Sequence, residues 1–254
     1  MRICNLASGS KGNSTYVETD KHKILLDSGK NIKYLEEKLN ELEINIKDID
    51  YVIISHNHAD HISCLTKVLK KSNAFLCAPK KMVDEIEELN DYESIIYFED
   101  VLDLDDIQIK SFKSSHDATD SRNFILSDNA SSFAYITDTG YLNQKYFKEL
   151  YNLDLYLFES NHDIEMLEHG PYPEWLKKRV LSDEGHLSNN AAGFYLSKLI
   201  GPKTKEVLLI HLSETNNTPE KAMETILSTL KDYNIEFNNL CCAKQNEKSE
   251  VITL

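Results

Sequence analysis

Six consecutive residues, His56-Asn57-His58-Ala59-Asp60-His61, present three imidazoles and a carboxylate. They directly follow Tyr51-Val52-Ile53-Ile54, a continuous apolar run that reads as a buried strand. A loop leaving a rigid strand can turn such side chains towards one point. Neutral imidazole and carboxylate oxygen are ligands for zinc, manganese or iron. The competing reading is a solvated polar loop that holds three histidines. Three more residues of the same chemistry stand at the ends of strand-like runs: His116 in Ser114-Ser115-His116-Asp117, Asp138 in Thr137-Asp138-Thr139-Gly140, and His211 in Ile210-His211-Leu212-Ser213. The cysteines Cys4, Cys64, Cys77, Cys241 and Cys242 are odd in number and contain no C-x-x-C. They read as reduced thiols, with neither a disulfide framework nor a thiolate metal site.

These residues need elements to hold them. Strands are expected at Arg2 to Ala7, Thr15 to Glu18, Lys23 to Asp27, Tyr51 to Ile54, Ala74 to Ala78, Ile95 to Phe98, Ile107 to Phe112, Asn123 to Ser127, Ser132 to Thr137, Leu153 to Glu159, Val207 to His211, Glu236 to Ala243 and Glu250 to Leu254. Helices are expected at Asn31 to Leu42, Ser63 to Ser72, Lys80 to Asn90, Leu142 to Leu150, Pro173 to Leu181, Asn189 to Leu199 and Pro219 to Lys231. The first helix shows the pattern well, with Ile32, Leu35, Leu39 and Leu42 on one stripe. Strands with helices interspersed in both halves imply helices covering sheets, an α/β (α+β) layered architecture. No linker rich in Gly, Pro or Ser breaks the chain, so a single domain over 1–254 is expected.

The chain has 254 residues and a net charge of −14. Such an acidic chain repels phosphate polymers at long range, which disfavours a sequence-independent coat for nucleic acid. A nuclease stays open, because bound divalent ions add positive charge that the formula omits. No apolar run reaches the roughly 18 residues of a membrane span. The N-terminus lacks the apolar core of a secretory signal, so a cytoplasmic protein with no membrane partner is expected. Ser8-Gly9-Ser10-Lys11-Gly12-Asn13-Ser14 forms a small-residue loop from which Ser8, Ser10 and Asn13 could donate hydrogen bonds to a phosphate. Lys177-Lys178-Arg179 is either a phosphate contact or a solvated helix face. His22 and His169 read as surface residues.

H-x-H-x-D-H after a hydrophobic strand resembles the metal-binding motif of the metallo-β-lactamase fold. That resemblance implies an αββα four-layer sandwich with two divalent metal ions (Zn, Mn or Fe) at the rim between the sheets. It implies that His56, His58 and His116 hold one ion, that Asp60, His61 and His211 hold the other, and that Asp138 bridges them. Asp60 would also position the proton of the attacking water. Asp27, ending Ile24-Leu25-Leu26-Asp27, matches an early aspartate of the fold that orients a ligand, unless it is simply a turn residue before Ser28-Gly29. Phe158-Glu159-Ser160-Asn161-His162-Asp163 and Gly185-His186-Leu187-Ser188-Asn189 resemble motifs of the phosphodiesterase branch, including ribonuclease Z. By that likeness His186 is the general acid, Glu159 orients it, and His162, Ser188 and Asn189 contact substrate, although Ser188 and Asn189 also suit a helix N-cap. Leu6 to Ser14, Glu159 to Asp163, Gly185 to Asn189 and His211-Leu212-Ser213-Glu214-Thr215-Asn216-Asn217 together resemble a bacterial exonuclease subgroup of the fold, the YycJ/WalJ group. The implied activity is 5′-to-3′ hydrolysis of DNA, with a part in DNA repair. The spacing of 73 positions from Asp138 to His211 is too short for the cap domain inserted in the β-CASP nucleases. Two rivals remain: a small-molecule phosphodiesterase or thioester hydrolase of the same fold, and a non-catalytic metal-binding or signalling module, which would need no general acid.

Overall fold

The computed structural model describes residues 1–254, and the chain divides into two compact units. The first comprises residues 1–113, 118–130 and 244–254, and the second residues 114–117 and 131–243. No helix is long and apolar enough to cross a membrane.

In the first unit β1 (Arg2–Ala7), β2 (Ser14–Glu18) and β3 (Lys23–Leu26) form an antiparallel set, with the C-terminal strand Ile252–Thr253 at its outer edge. The sheet then continues in parallel through β4 (Tyr51–Ile53), β5 (Phe75–Ala78) and β6 (Ile95–Tyr97). Parallel strands need crossovers, and helices Ile32–Asn40 and Leu65–Ser72 supply two of them. Asn31 caps the first by accepting the Tyr34 amide, and Leu35 and Leu39 on its inner stripe are fully buried against Leu25, Val52 and Val68. An antiparallel meander of β7 (Val101–Leu104), β8 (Ile107–Lys113) and β9 (Arg122–Ser127) completes the unit.

The second unit is built on four parallel strands, in the order β10 (Ser132–Ile136), β11 (Leu155–Glu159), β12 (Glu206–Ile210) and β13 (Leu240–Cys242). The central ones are almost continuous apolar runs, as strands covered on both faces require. Helix Asn189–Leu199 packs beside helix Pro219–Asp232.

Several elements depart from the sequence expectation, three of them clearly. The helix expected at Lys80 to Asn90 is a short helix Lys80–Val83 followed by a 3₁₀ turn Glu87–Leu89. Ile86 is extended between them, which buries both Ile86 and Leu89, so burial overrides the helical spacing. The strand Val101–Leu104 was not expected, although Leu102 and Leu104 alternate inward. Helix Ile164–His169 was also missed; Asp163 caps it by accepting the Met166 amide. His22 is not a free surface residue, since its ring packs edge-on against Tyr51 at 5.2 Å, whereas His169 is exposed.

Candidate metal centre

Candidate ligands occupy the carboxyl ends of parallel strands in both units: Asp27 after β3, His56 after β4, Asp138 after β10, Glu159 closing β11 and His211 after β12. Side chains at these ends escape the sheet's hydrogen bonding and can face a ligand. Three of the five residues hold backbone that L-residues seldom adopt, with φ of 61° at Asp27, 48° at Asp138 and 58° at His211. Such conformations persist only where surrounding structure enforces them, and they gather at functional sites.

In the first unit, Asp27 is wholly buried and takes three donors. Its Oδ1 accepts the Ser55 amide at 2.7 Å, its Oδ2 accepts the Ser55 hydroxyl at 2.9 Å, and Oδ2 lies 2.8 Å from His61 Nδ1. A carboxylate only accepts, so His61 carries its proton on Nδ1 and turns Nε2 outward as the ligand atom. Ser55 Oγ, having donated to Asp27, accepts from His56 Nδ1 at 3.0 Å, which leaves His56 Nε2 as its ligand atom. Asp27 thus fixes two imidazoles, one directly and one through Ser55. Sequence reasoning missed Ser55; its place between the strand and His56 was the available signal. His56, Asp60 and His61 each bring a ligand atom within 4.8 Å of the others. The His58 ring lies edge-on to His56 at 4.7 Å.

The small-residue loop joins this group unevenly. Asn13 Nδ2 lies 2.9 Å from His61 Nε2 and 3.3 Å from Asp60 Oδ2, while its Oδ1 accepts the Gly9 amide at 2.7 Å. Ser8 is buried and Ser10 is exposed. Asn13 therefore belongs with the ligand cluster, and Ser10 faces solvent.

In the second unit, one carboxylate oxygen stands among three imidazoles. Asp138 Oδ1 lies 3.6 Å from His116 Nε2, 3.6 Å from His186 Nδ1 and 3.5 Å from His211 Nδ1. These separations exceed a good hydrogen bond. Asp138 Oδ2 accepts the Thr137 hydroxyl at 2.7 Å. His116 Nδ1 donates to the Gly185 carbonyl at 3.2 Å, so Nε2 is its ligand atom. Burial pushes the His116 pKa below the ordinary imidazole value, against the pull of Asp138, which keeps the ring neutral and fit to ligate.

Glu159 has no solvent exposure. Its Oε1 lies 2.8 Å from His186 Nδ1 and 3.1 Å from His211 Nδ1, and its Oε2 accepts the Thr139 amide at 2.9 Å. Burial raises the carboxyl pKa, but the His186 charge and the hydrogen bonds from His186 and His211 outweigh it and hold the group below the usual carboxylate range. Glu159 is therefore an anion that orients both histidines, not His186 alone. Asp138, Glu159, His186 and His211 each place a ligand atom within 4.8 Å of the others.

Three expected substrate contacts take a different place. Asn189 is completely buried and its amide pairs reciprocally with Asn217 at 2.9 Å while accepting Ser160 Oγ at 2.7 Å. Ser188 caps helix Asn189–Leu199 by accepting the Ala191 amide. These two residues are consumed in holding the helix start, because a buried amide must satisfy itself internally. His162 is 1% exposed, and its two ring nitrogens make no hydrogen bond. Burial lowers its pKa from 6.5 to about 4.

That depression sets a pH dependence of stability. The unfolded chain binds the His162 proton more tightly than the folded one, so the contribution is full above the unfolded pKa and lost as pH falls. Between pH ~6.5 and ~4 the metal-free protein is expected to lose up to about 3 kcal/mol on this account. Denaturant titrations of wild type and His162→Gln across that window check it. Curves that run parallel would refute the assignment.

Comparison with known proteins gives a consistent result. Residues 22–212 match the family model described as a beta-lactamase superfamily domain. The chain is 37% identical over 232 residues to an exodeoxyribonuclease YycJ of Bacillus anthracis, covering 89% of this chain and 88% of that protein. It is equally 37% identical to an exodeoxyribonuclease WalJ of Streptococcus pneumoniae, covering 89% and 86%. Among solved structures, the metallo-beta-lactamase fold protein YhfI of Bacillus subtilis superposes with a TM-score of 0.73 at 17% identity, over 98% of each chain. Helices flanking two mixed sheets, the matched family model and His/Asp groups able to hold metal ions agree, and the chain belongs to the β-lactamase superfamily, with its metallo-β-lactamase α/β sandwich fold.

Proposed function

We propose that this protein is a metal-dependent 5′-to-3′ exodeoxyribonuclease. The observation that carries the reading is the group of ligand atoms that His56, Asp60 and His61 bring within 4.8 Å of one another, together with a His186 held at 2.8 Å by a buried Glu159. The first feature suits a cation, and the second suits a proton donor; a binding module would need only the first. The relatives named exodeoxyribonuclease, each aligned over most of its length, support DNA as substrate.

The donor set fits two divalent ions of the zinc, manganese or iron class, since it consists of imidazole and carboxylate only. We assign His56, His58 and His116 to one, Asp60, His61 and His211 to the other, and Asp138 to both. When bound, such ions acidify a water and stabilise charge that develops on the phosphate. The protein's own groups do the rest. Asp60 accepts and positions the proton of the attacking water. His186 delivers a proton to the leaving 3′ oxygen, and Glu159 holds the ring so that Nε2 faces that oxygen. Asp27 and Ser55 keep His61 and His56 in the ligating tautomer.

The test uses metal-stripped protein with end-labelled, 5′-phosphorylated DNA, restored with manganese or zinc. Mononucleotides released from the 5′ end only after metal is restored are the expected result. His186→Ala should slow release by about 10²- to 10⁴-fold with metal content unchanged. Metal-restored protein that leaves DNA intact yet cleaves a small phosphodiester would overturn the nuclease reading, and loss of metal in the variant would make His186 a ligand rather than the acid. Hydrolysis is also expected to weaken as salt rises, since phosphate contacts release counterions; a flat profile would argue for a small substrate.

A further inference from the structure

The chain contains one tryptophan, and it is 68% exposed. Trp175 lies on helix Glu174–Val180, which also carries the densest basic run, Lys177-Lys178-Arg179. Trp175, Lys178 and Arg179 stand at i, i+3 and i+4, so they share one face of the helix. The structure ties the far end of that face to the candidate centre. Arg179 grips Asp117 with two bonds, Nε to Oδ2 at 2.6 Å and Nη2 to Oδ1 at 2.9 Å. Asp117 Oδ1 in turn lies 3.5 Å from Nε2 of His116, one of the assigned ligands. The helix end is tied to the same centre, because the Val180 carbonyl accepts the His186 amide at 3.0 Å and the Gly185 carbonyl accepts His116 Nδ1 at 3.2 Å. Trp175 and Val180 are five positions apart, roughly 8 Å of helix axis.

An exposed indole beside a lysine on a chain of net charge −14 is an unusual use of surface. Lys177 does not join this face; it is turned to the Glu168 carbonyl at 2.7 Å. Lys178 is exposed, and Arg179 anchors the face to the ligand cluster. A broad aromatic surface next to a cation has the chemistry of a single-stranded nucleic-acid groove. Every base has a π-face to stack, and the phosphate beside it needs positive charge.

We propose that Trp175 is a stacking platform for an unpaired base of a single-stranded nucleic acid, with Lys178 meeting the adjoining phosphate. The platform steadies the strand while its end lies at Asp138 and His186. It rests on the nuclease reading above and names single-stranded substrate as the preferred form. Trp175 acts as a positioning residue, since it touches a base remote from the reacting phosphate. Duplex DNA offers it no unpaired base except at a frayed end.

A single tryptophan makes the test direct, because the protein's indole fluorescence reports this side chain alone. Metal-loaded protein is titrated with a 5′-phosphorylated, phosphorothioate-linked single strand, and saturable quenching is expected. In turnover, Trp175→Ala should raise KM for single-stranded DNA by about tenfold, with kcat changed by less than about twofold and Trp175→Phe restoring most of the loss. Kinetics on bis(p-nitrophenyl) phosphate, which has no base to stack, should stay at the wild-type value. An unquenched indole, an unchanged KM, an equal loss on the small ester or an effect confined to duplex DNA would each overturn the platform. If Trp175→Ala cleaves DNA like wild type, the platform fails and the nuclease reading stands. If the single strand quenches the indole but no DNA is cleaved, the nuclease reading fails and the platform stands.

Discussion

Asp138→Asn is expected to lower DNA hydrolysis by about 10³-fold while leaving the protein folded. The substitution keeps the shape and removes the charge. Asparagine is also among the few side chains that tolerate left-handed backbone, so the φ of 48° at this position is preserved. The Thr137 hydroxyl, which donates to Oδ2 at 2.7 Å, can donate equally to an amide oxygen. What is lost is the anionic oxygen that stands 3.5–3.6 Å from His116, His186 and His211. A metal ion held by this carboxylate then lacks its countercharge, and bound metal should fall with activity. Metal analysis, single-turnover kinetics and thermal unfolding on one preparation separate the outcomes. Wild-type metal content with wild-type rates would remove Asp138 from the centre. Loss of folding, rather than of metal, would make its role structural.

How far was such a centre legible in the sequence? Residues able to hold a metal were, because metal binding demands side chains of one narrow chemistry and strand ends supply them at recognisable breaks. His56, His116, Asp138 and His211 each follow an apolar run whose end is visible in the residues themselves. The tautomers were not legible, since they depend on partners distant in the chain. Asp27 and His61 are 34 residues apart, and Glu159 and His211 are 52 apart. No local pattern announces that one carboxylate serves two rings. The helix-start role of Ser188 and Asn189 was not legible for a related reason. Ser188 and Asn189 carry the polarity of binding residues, yet the same polarity satisfies a buried helix start, and the difference lies in Ser160 and Asn217. The secondary structure erred where burial overruled local preference, as at Ile86. It also erred where a cap stood inside a polar cluster, as at Asp163 before Ile164–His169.

Gly29→Ala should be among the most damaging single-methyl changes in the chain, although the position bears no reactive group. A Cβ built there would lie 1.5 Å from the Asp60 carbonyl oxygen and 2.7 Å from the Asn13 amide nitrogen. Its φ is not in the left-handed region, so space and not conformational freedom requires the glycine. The obstacles are main chain, and no rotamer change relieves them. That backbone is also bonded together: Ser28 N donates to His61 O at 2.7 Å, Asn13 N to Asp60 O at 2.8 Å and Gly29 N to Asn13 O at 2.9 Å. Admitting the methyl means parting the turn from Asp60 and His61, which carries the ligand atoms away from Asn13 and Asp27. Overpacking of this kind costs about 1–3 kcal/mol or more, and displaced partners of a ligand lower metal affinity about 10- to 100-fold. Thermal unfolding and metal titration of Gly29→Ala beside wild type should show both stability and metal affinity weakened. A Gly29→Ala protein that binds metal like wild type would show that this turn does not set the position of Asp60 and His61.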